Sequence, residues 1–179
     1  GTLANATATC GAAIYRGDAF PAEFRGNAFI PEPSSNLVKR VIITEKDGVL
    51  TGANAYAEKE FLTSTDERFR PVMTATGPDG ALYVVDLYRG MLQHPAFLTH
   101  YLAANIKARK LETPVNQGRI WRIVRDDRPA PKATKIPAVV AARVRSLTHP
   151  NGWVRDTAQR LLVESADVAA ATPLRTLLA

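Results

Sequence analysis

The hydrophobic pattern of residues 10–125 is typical of a β-rich segment. A run rich in β-branched residues covers 37–43, reaches the dipeptide Asp47-Gly48 and is followed by a second apolar stretch at 49–50. Asp-Gly between two apolar runs favours the tight turn of a β-hairpin. The pattern therefore predicts an antiparallel hairpin that turns at Asp47-Gly48.

A second unit repeats this form. Residues 70–74 lead to Pro78-Asp79-Gly80, and the apolar stretch 81–86 follows. Residues 120–124 complete the series as a last strand candidate. Hairpins with such turns occur in sandwiches, barrels and propellers alike, so the pattern alone leaves the architecture open.

A helical pattern interrupts the strands at 95–111. Leu98, Leu102 and Ile106 fall at i, i+4 and i+8, and Pro95 suits a first helical turn. We interpret 95–111 as a helical insertion before the closing strand.

The composition of the sequence changes after residue 125. Three prolines fall among charged and small residues at 126–137, which indicates a linker. Residues 138–179 predict helices, and Asn151 is placed to cap one of them. The apolar stripe of that helix consists of Val154, Ala158, Leu161 and Leu162. Short helices of this kind bury their faces by stacking, which indicates the start of a helical repeat. The fold expected is mainly β with α.

The amino-acid composition excludes few classes of protein. The chain has 179 residues, is 46% hydrophobic and carries a net charge of +6. Its basic residues are scattered through strand-like and loop-like stretches, which favours a solvated surface, and we expect no nucleic-acid partner. Nucleic-acid binding through the helical repeat stays the weakest hypothesis. The lone Cys10 forms no internal disulfide and no CxxCH haem site, and it is typical of a small buried residue.

Several ordered motifs resemble one protein family. The stretch 77–86, Gly-Pro-Asp-Gly-Ala-Leu-Tyr-Val-Val-Asp, resembles the blade signature of the glucose/sorbosone dehydrogenase propellers. Five further stretches are similar to the membrane-bound dehydrogenases of the planctomycete and verrucomicrobial type: 15–21, 32–40, 68–72, 86–94 and 118–123. Residues 149–162 resemble the HEAT-like repeat that follows the propeller in that family. The likeness covers about residues 10–165.

The resemblance implies that the chain is a fragment of a longer extracytoplasmic protein that is periplasmic, secreted or membrane-associated. Residues 1–125 would form the last blades of a β-propeller, 126–137 a linker and 138–179 a HEAT-like repeat. The parent would be a quinoprotein-type dehydrogenase that uses pyrroloquinoline quinone (PQQ) and calcium to oxidise sugars or other alcohols. Electrons would pass to a c-type cytochrome domain, and haem c would belong to that domain. The general base would also lie outside this chain.

The same resemblance assigns the cofactor contact to Arg70 and, more weakly, to Arg68. Residues two apart on a strand share a face, and an arginine fork binds a carboxylate through two hydrogen bonds. The alternative is that both arginines pair with acids such as Asp66 or Glu67.

Other candidates have weaker signals. His94 is the candidate base or ligand, and the alternative is a hydrogen bond within its loop. Asp86 is expected to cap a turn or orient Arg89. Glu32 suits calcium, although one acid is too few to define a metal site. The two tryptophans, Trp121 and Trp153, are expected to be core anchors.

Two functions from different classes remain open. The first is the dehydrogenase. The second is a non-catalytic propeller and HEAT module that binds carbohydrate or protein partners, because a fold does not fix a function. In either case we expect the isolated chain to lack dehydrogenase activity.

Overall fold

A computed structural model describes residues 6–179, so residues 1–5 of the predicted propeller segment lie outside the described residues. The described chain combines eight β-strands in two antiparallel sheets with four α-helices. A mixed fold with β-hairpins before helices is therefore confirmed.

The first sheet is built around the predicted hairpin. Its strands are β1 (Ala13–Ile14), β2 (Ala28–Glu32), β3 (Leu37–Lys46), β4 (Val49–Asn54) and β5 (Leu62–Thr63). They are arranged in the order β1-β2-β3-β4, and β5 pairs with β3. Asp47 and Gly48 have φ values of 54° and 77° between β3 and β4, as the two central residues of a type I′ turn require.

The second sheet has the order β6-β7-β8, with β6 at Pro71–Thr76, β7 at Leu82–Asp86 and β8 at Arg119–Ile123. The turn between β6 and β7 lies at Asp79-Gly80, and Gly80 has a φ of 74°. Along β7, Leu82, Val84 and Asp86 are buried and alternate with half-buried residues. Since alternate residues of a strand share a face, Asp86 continues the buried face at the end of the strand.

The helical insertion is shorter than predicted. Helix α1 spans His100–Ala108, and a separate 3₁₀ turn covers Pro95–Phe97. The Thr99 side chain caps α1 by accepting the Leu102 N–H at 3.2 Å. Ile106 is buried and Leu102 half-buried, as the apolar stripe predicted.

Three helices follow residues 126–137: α2 (Val140–Arg145), α3 (Gly152–Ser165) and α4 (Ala171–Leu178). Their common core consists of Val144, Leu162 and Ala170, with Val140, Leu147 and Leu174 packed against it. Val154 and Ala158 of the predicted stripe are fully buried. The predicted cap is confirmed, because Asn151 Oδ1 accepts the Trp153 N–H at 3.0 Å.

The chain divides into two compact units that do not follow the sequence halves. Among the described residues, unit one comprises 6–14, 26–75 and 83–122. Unit two comprises 15–25, 76–82 and 123–179, so it joins the helices to two short segments of the β-rich region.

Unit one has a core of aromatic and aliphatic side chains. Phe29 and Val38 are fully buried, and Phe69 is almost so. Phe29 packs edge-on against Phe61, with 4.8 Å between ring centroids. This contact joins β2 to the segment just before β5.

Unit two is stabilised by hydrogen bonds between side chains and main-chain groups of different segments. The buried Tyr15 hydroxyl donates to Gly80 O at 2.5 Å and accepts the N–H groups of Ala19 and Phe20. Burial raises the pKa of this phenol. Asn151 Nδ2 donates to Gly77 O at 3.0 Å. The turn at 77–80 is thereby fixed from two sides.

The start of α3 makes a second connection within unit two. The Gly152 N–H donates to Arg16 O at 2.7 Å, and the Arg16 guanidinium pairs with both carboxylate oxygens of Asp156 at 2.7 and 3.1 Å. A Cβ on Gly152 would lie 2.7 Å from Arg16 Cβ, so only glycine permits this approach.

Two predictions about burial are wrong. Cys10 is exposed, since it lies in the extended segment before β1. Trp121 is 42% exposed because it sits on β8, at the edge of its sheet. Trp153 is half-buried, in line with its prediction. Among the described residues, no helix combines the length and the apolar character that crossing a bilayer demands.

Candidate functional site

Arg70 lies next to β6 in unit one, and its guanidinium is a clamp between two loops. Nε donates to Arg89 O at 3.0 Å, Nη2 to Gly90 O at 2.8 Å and Nη1 to Pro33 O at 2.7 Å. Burial lowers the pKa of Arg70. The sequence predicted that this fork would bind a cofactor carboxylate, whereas all three nitrogens donate to main-chain carbonyls.

Arg68 has a similar role at the end of α1. Its Nε donates to Thr113 O at 3.0 Å and its Nη2 to Lys110 O at 2.8 Å. A guanidinium at a helix C-terminus satisfies carbonyls that lack partners within the helix. Neither Arg68 nor Arg70 forms the predicted alternative, an ion pair with Asp66 or Glu67; instead, Asp66 accepts the Arg68 main-chain N–H.

Asp86 is the centre of the polar network that positions Arg70. Its carboxylate is 1% exposed and accepts the main-chain N–H groups of Arg70 and Tyr88, both at 2.8 Å. It also accepts Trp121 Nε1 at 3.0 Å and Arg119 Nε at 2.8 Å. Burial alone would raise the pKa of Asp86, but the four hydrogen bonds outweigh burial and the pKa lies below its usual value.

Arg119 is a functional residue that sequence reasoning missed. It bridges Asp86 and Asp66, with 3.1 Å from Nη2 to the Asp66 carboxylate. Its guanidinium lies 3.7 Å from the centre of the Tyr88 ring and 4.8 Å from that of Trp121. The sequence carries one signal for this partner. Asp86 continues the alternation of apolar residues along β7 that predicts a buried face, and a buried carboxylate requires a cationic partner.

A polar cleft of about 210 Å³ opens beside Arg70 within unit one. Its lining combines the apolar side chains of Leu102, Ile106 and Leu111 with amides, a hydroxyl and an ion pair between Glu67 and Arg109. The lining comprises Ser34, Asn36, Glu67, Arg70, Gly90, Gln93, Leu102, Asn105, Ile106, Arg109 and Leu111.

Two of the cleft amides are held in place. Asn36 Nδ2 donates to Phe69 O at 2.5 Å, and Asn105 Nδ2 donates to Tyr101 O at 2.8 Å. Their oxygens are then available as acceptors. Gln93 makes no hydrogen bond within residues 6–179, so its amide offers both a donor and an acceptor. The cleft therefore suits a small ligand rich in hydroxyl groups.

The three histidines lie outside this cleft. His94 is exposed; its Nδ1 accepts the Ala96 N–H at 3.2 Å and its ring packs on Phe97. His100 is exposed at the start of α1, and His149 accepts the Asn151 N–H at 3.0 Å in the break before α3. These contacts of His94 match the alternative considered in the sequence analysis, a hydrogen bond within its own loop.

Glu32, the residue considered for calcium, is buried and accepts hydrogen bonds from one main-chain N–H and from the Thr7 hydroxyl. Its two oxygens accept the Ala8 N–H at 3.1 and 3.0 Å. Among residues 6–179, no three His, Cys, Asp or Glu side chains are grouped closely enough to hold a metal ion.

These features define a mixed α/β chain with two antiparallel sheets, a cluster of α-helices and a polar cleft at the strand ends. The family model described as a domain of unknown function, DUF7133, matches residues 1–127. The match covers more than half of the 179 residues, and the chain belongs to this family. Comparisons with curated proteins and with solved structures found no match.

Proposed function

We propose that the chain is the closing segment of a β-propeller with the start of a HEAT-like repeat, within an extracytoplasmic quinoprotein-type dehydrogenase. The parent protein oxidises sugars or other alcohols and passes electrons to a cytochrome. The support is the ordered set of motifs from 15–21 to 149–162, in which Pro78-Asp79-Gly80 forms the turn between two paired strands.

The cleft beside Arg70 carries the functional part of this proposal. Fixed amide oxygens at Asn36 and Asn105, together with the Gln93 amide, offer donors and acceptors to hydroxyl groups. The apolar side chains of Leu102 and Ile106 in the lining suit the carbon face of a sugar. In this proposal the cleft holds part of the substrate, and Arg70 positions the loops that line it.

Arg68 and Arg70 do not fit the proposed quinone. PQQ is an anionic ligand whose carboxylates require free N–H pairs, whereas Nε and Nη2 of Arg68 and all three guanidinium nitrogens of Arg70 donate to main-chain carbonyls. In our proposal PQQ, calcium and the general base are held by other parts of the parent, and haem c by its cytochrome domain. No step of the chemistry is assigned to Arg68, Arg70 or His94.

The test uses the full-length parent protein, loaded with PQQ and calcium and assayed by dye reduction with a panel of sugars and alcohols. Gln93→Leu removes an amide that has no partner within residues 6–179, so the variant should fold normally. Because the substrate loses a hydrogen-bonding group in the cleft, KM should rise about tenfold. The matched control is Gln159→Leu, on the exposed face of α3. Equal KM values for the two variants would refute the cleft as a substrate site, and no dye reduction by the parent would refute the dehydrogenase.

A second candidate function is a non-catalytic module that binds carbohydrate or protein partners. The observation that favours it is the engagement of both predicted cofactor arginines by the main chain. Calorimetry separates the two: saccharide binding that Gln93→Leu weakens, without dye reduction by the parent, would support the binding module. The isolated chain should show no turnover under either proposal.

A further inference from the structure

A second cavity, of about 200 Å³, lies entirely within unit two. Its walls come from residues 18–19, the turn at 77–80, the segment 128–134 and the break before α3. Sites for drug-sized molecules have volumes of about 300–1,000 Å³, so this cavity admits only a smaller ligand. The titratable side chains in its lining are two acids, two bases and a histidine: Asp18, Asp79, Arg128, Lys132 and His149.

Each wall of this cavity is hydrogen-bonded to the turn at 77–80. The Thr134 N–H donates to one carbonyl of the turn at 3.0 Å, and the Asn151 side chain donates to a second at 3.0 Å. The buried Tyr15 hydroxyl donates to a third and accepts the Ala19 N–H at 3.1 Å. The four wall segments are thereby fixed relative to one another, so the cavity is part of the folded unit.

The opposite charges around this cavity do not neutralise one another. Within the described part of the chain, neither Arg128 nor Lys132 forms a hydrogen bond or an ion pair with Asp18 or Asp79, although all four line the same space. A ligand with a single charge would be attracted by one pair of side chains and repelled by the other, and placing like charges together is costly. A ligand that carries both signs satisfies both pairs.

Two uncharged groups add hydrogen-bonding capacity. His149 Nδ1 accepts the Asn151 N–H at 3.0 Å, so the neutral ring carries its proton on Nε2 and can donate it to a ligand. The Thr134 hydroxyl also lines the cavity and can donate or accept. A carboxylate in the cavity therefore has neutral donors available besides the two cations.

We propose that this cavity binds a small zwitterion, a molecule with one ammonium and one carboxylate group, such as a free amino acid. Arg128 and Lys132 hold the carboxylate, and Asp18 and Asp79 hold the ammonium group, through charge-assisted hydrogen bonds. Two acids and two bases sum to zero, which matches a ligand without net charge. The site lies in a different unit from the cleft beside Arg70 and requires no dehydrogenase activity.

The experiment is a titration of the isotope-labelled 179-residue chain followed by amide chemical shifts. The probes are glycine, β-alanine and γ-aminobutyrate, in which the two charges are progressively farther apart. At least one should bind, and it should shift amides of the segment 128–134 and the turn at 77–80. Acetate and methylammonium carry one charge each and should bind at least about tenfold more weakly. Added salt should weaken binding of the zwitterion, because ions screen exposed charges.

Two variants remove one charge each from the cavity. Lys132→Met and Asp18→Asn should each weaken binding of the best zwitterion about tenfold, because a charge-assisted hydrogen bond is lost. Lys132 makes no hydrogen bond within residues 6–179, so its variant should keep the amide pattern of the folded chain elsewhere. The matched control is Lys135→Met, at an exposed lysine outside the lining, which should leave the dissociation constant unchanged.

Three outcomes would overturn the proposal. The first is that none of the three zwitterions shifts the amides around the cavity at any soluble concentration. The second is that acetate or methylammonium binds as tightly as the best zwitterion. The third is that Lys132→Met and Lys135→Met bind that zwitterion equally well.

Discussion

The Asp86 carboxylate accepts the main-chain N–H of Arg70 at 2.8 Å, so the acid at the end of β7 fixes the residue that precedes β6. Arg70 in turn clamps the carbonyls of Arg89 and Gly90, which follow β7. Asp86 thus fixes the backbone at Arg70, and Arg70 fixes the loop that follows Asp86. The geometry of the cleft depends on Asp86 even though Asp86 does not line it.

Replacing Asp86 by Asn should lower the free energy of unfolding by about 1.5–3 kcal/mol, because hydrogen bonds from Arg119 and three other donors lose their charged acceptor. Urea denaturation followed by tryptophan fluorescence measures the change. Glu112→Gln, at an exposed acid, is the control and should stay within about 0.5 kcal/mol of the unmodified chain. Equal stability of the two variants would show that the Asp86 network is not a major source of stability.

The depressed pKa of Asp86 predicts a dependence of stability on pH. The folded-state pKa lies below the unfolded value of 3.8, so the carboxylate stabilises the fold above that value. The contribution is lost as the pH falls through the folded pKa. The gap in unfolding free energy between the unmodified chain and Asp86→Asn should therefore narrow as the pH is lowered from about 6 to below about 3. A gap that widens on acidification would contradict the assigned shift.

Arg70→Lys tests the clamp against the cofactor hypothesis. Lysine keeps the charge but lacks the planar fork, so contacts to three carbonyls are lost and the free energy of unfolding should fall by about 1–3 kcal/mol without any ligand. Arg145→Lys, at an exposed residue of α2, should change stability little. Unchanged stability of Arg70→Lys, combined with weaker PQQ binding by the parent, would restore the cofactor role.

Asn151 has two separable roles in unit two. Asn151→Ala removes both the cap on α3 and the donor to Gly77 O, and should destabilise unit two by about 1–3 kcal/mol. Asn151→Ser keeps a neutral capping oxygen and loses the amide donor to Gly77 O. Thermal denaturation followed by circular dichroism at 222 nm should place Asn151→Ser between the unmodified chain and Asn151→Ala. If both variants lose the same stability, the cap contributes nothing.

The local elements were predictable because their signals are local. Asp47 and Gly48 specify a type I′ turn by conformational preference, and the apolar period of 154–162 specifies a helical face. The structure confirms both. The limits of α1 shifted because Thr99 offers a cap that Pro95 does not.

The network around Asp86 was not predictable in the same way. Its partner Arg119 is 33 residues away, and nothing in its neighbourhood distinguishes it from the other arginines. Arg70 had the expected place next to β6, but its donors are taken by carbonyls whose positions depend on loops at 33–34 and 89–90. Side-chain chemistry can be inferred from sequence, whereas competition from main-chain acceptors depends on the folded loops.

The bonds within unit two also determine when that unit can be completed during synthesis. Asn151 lies 74 residues after Gly77, and Asp156 lies 140 residues after Arg16. At about 5–20 residues per second, a ribosome needs about 4–15 s to reach Asn151 after it has made Gly77. During that interval the Gly77 carbonyl and the segment at Arg16 are on the nascent chain without their final partners. Unit two can therefore close only after α3 has been synthesised, near the end of the described chain.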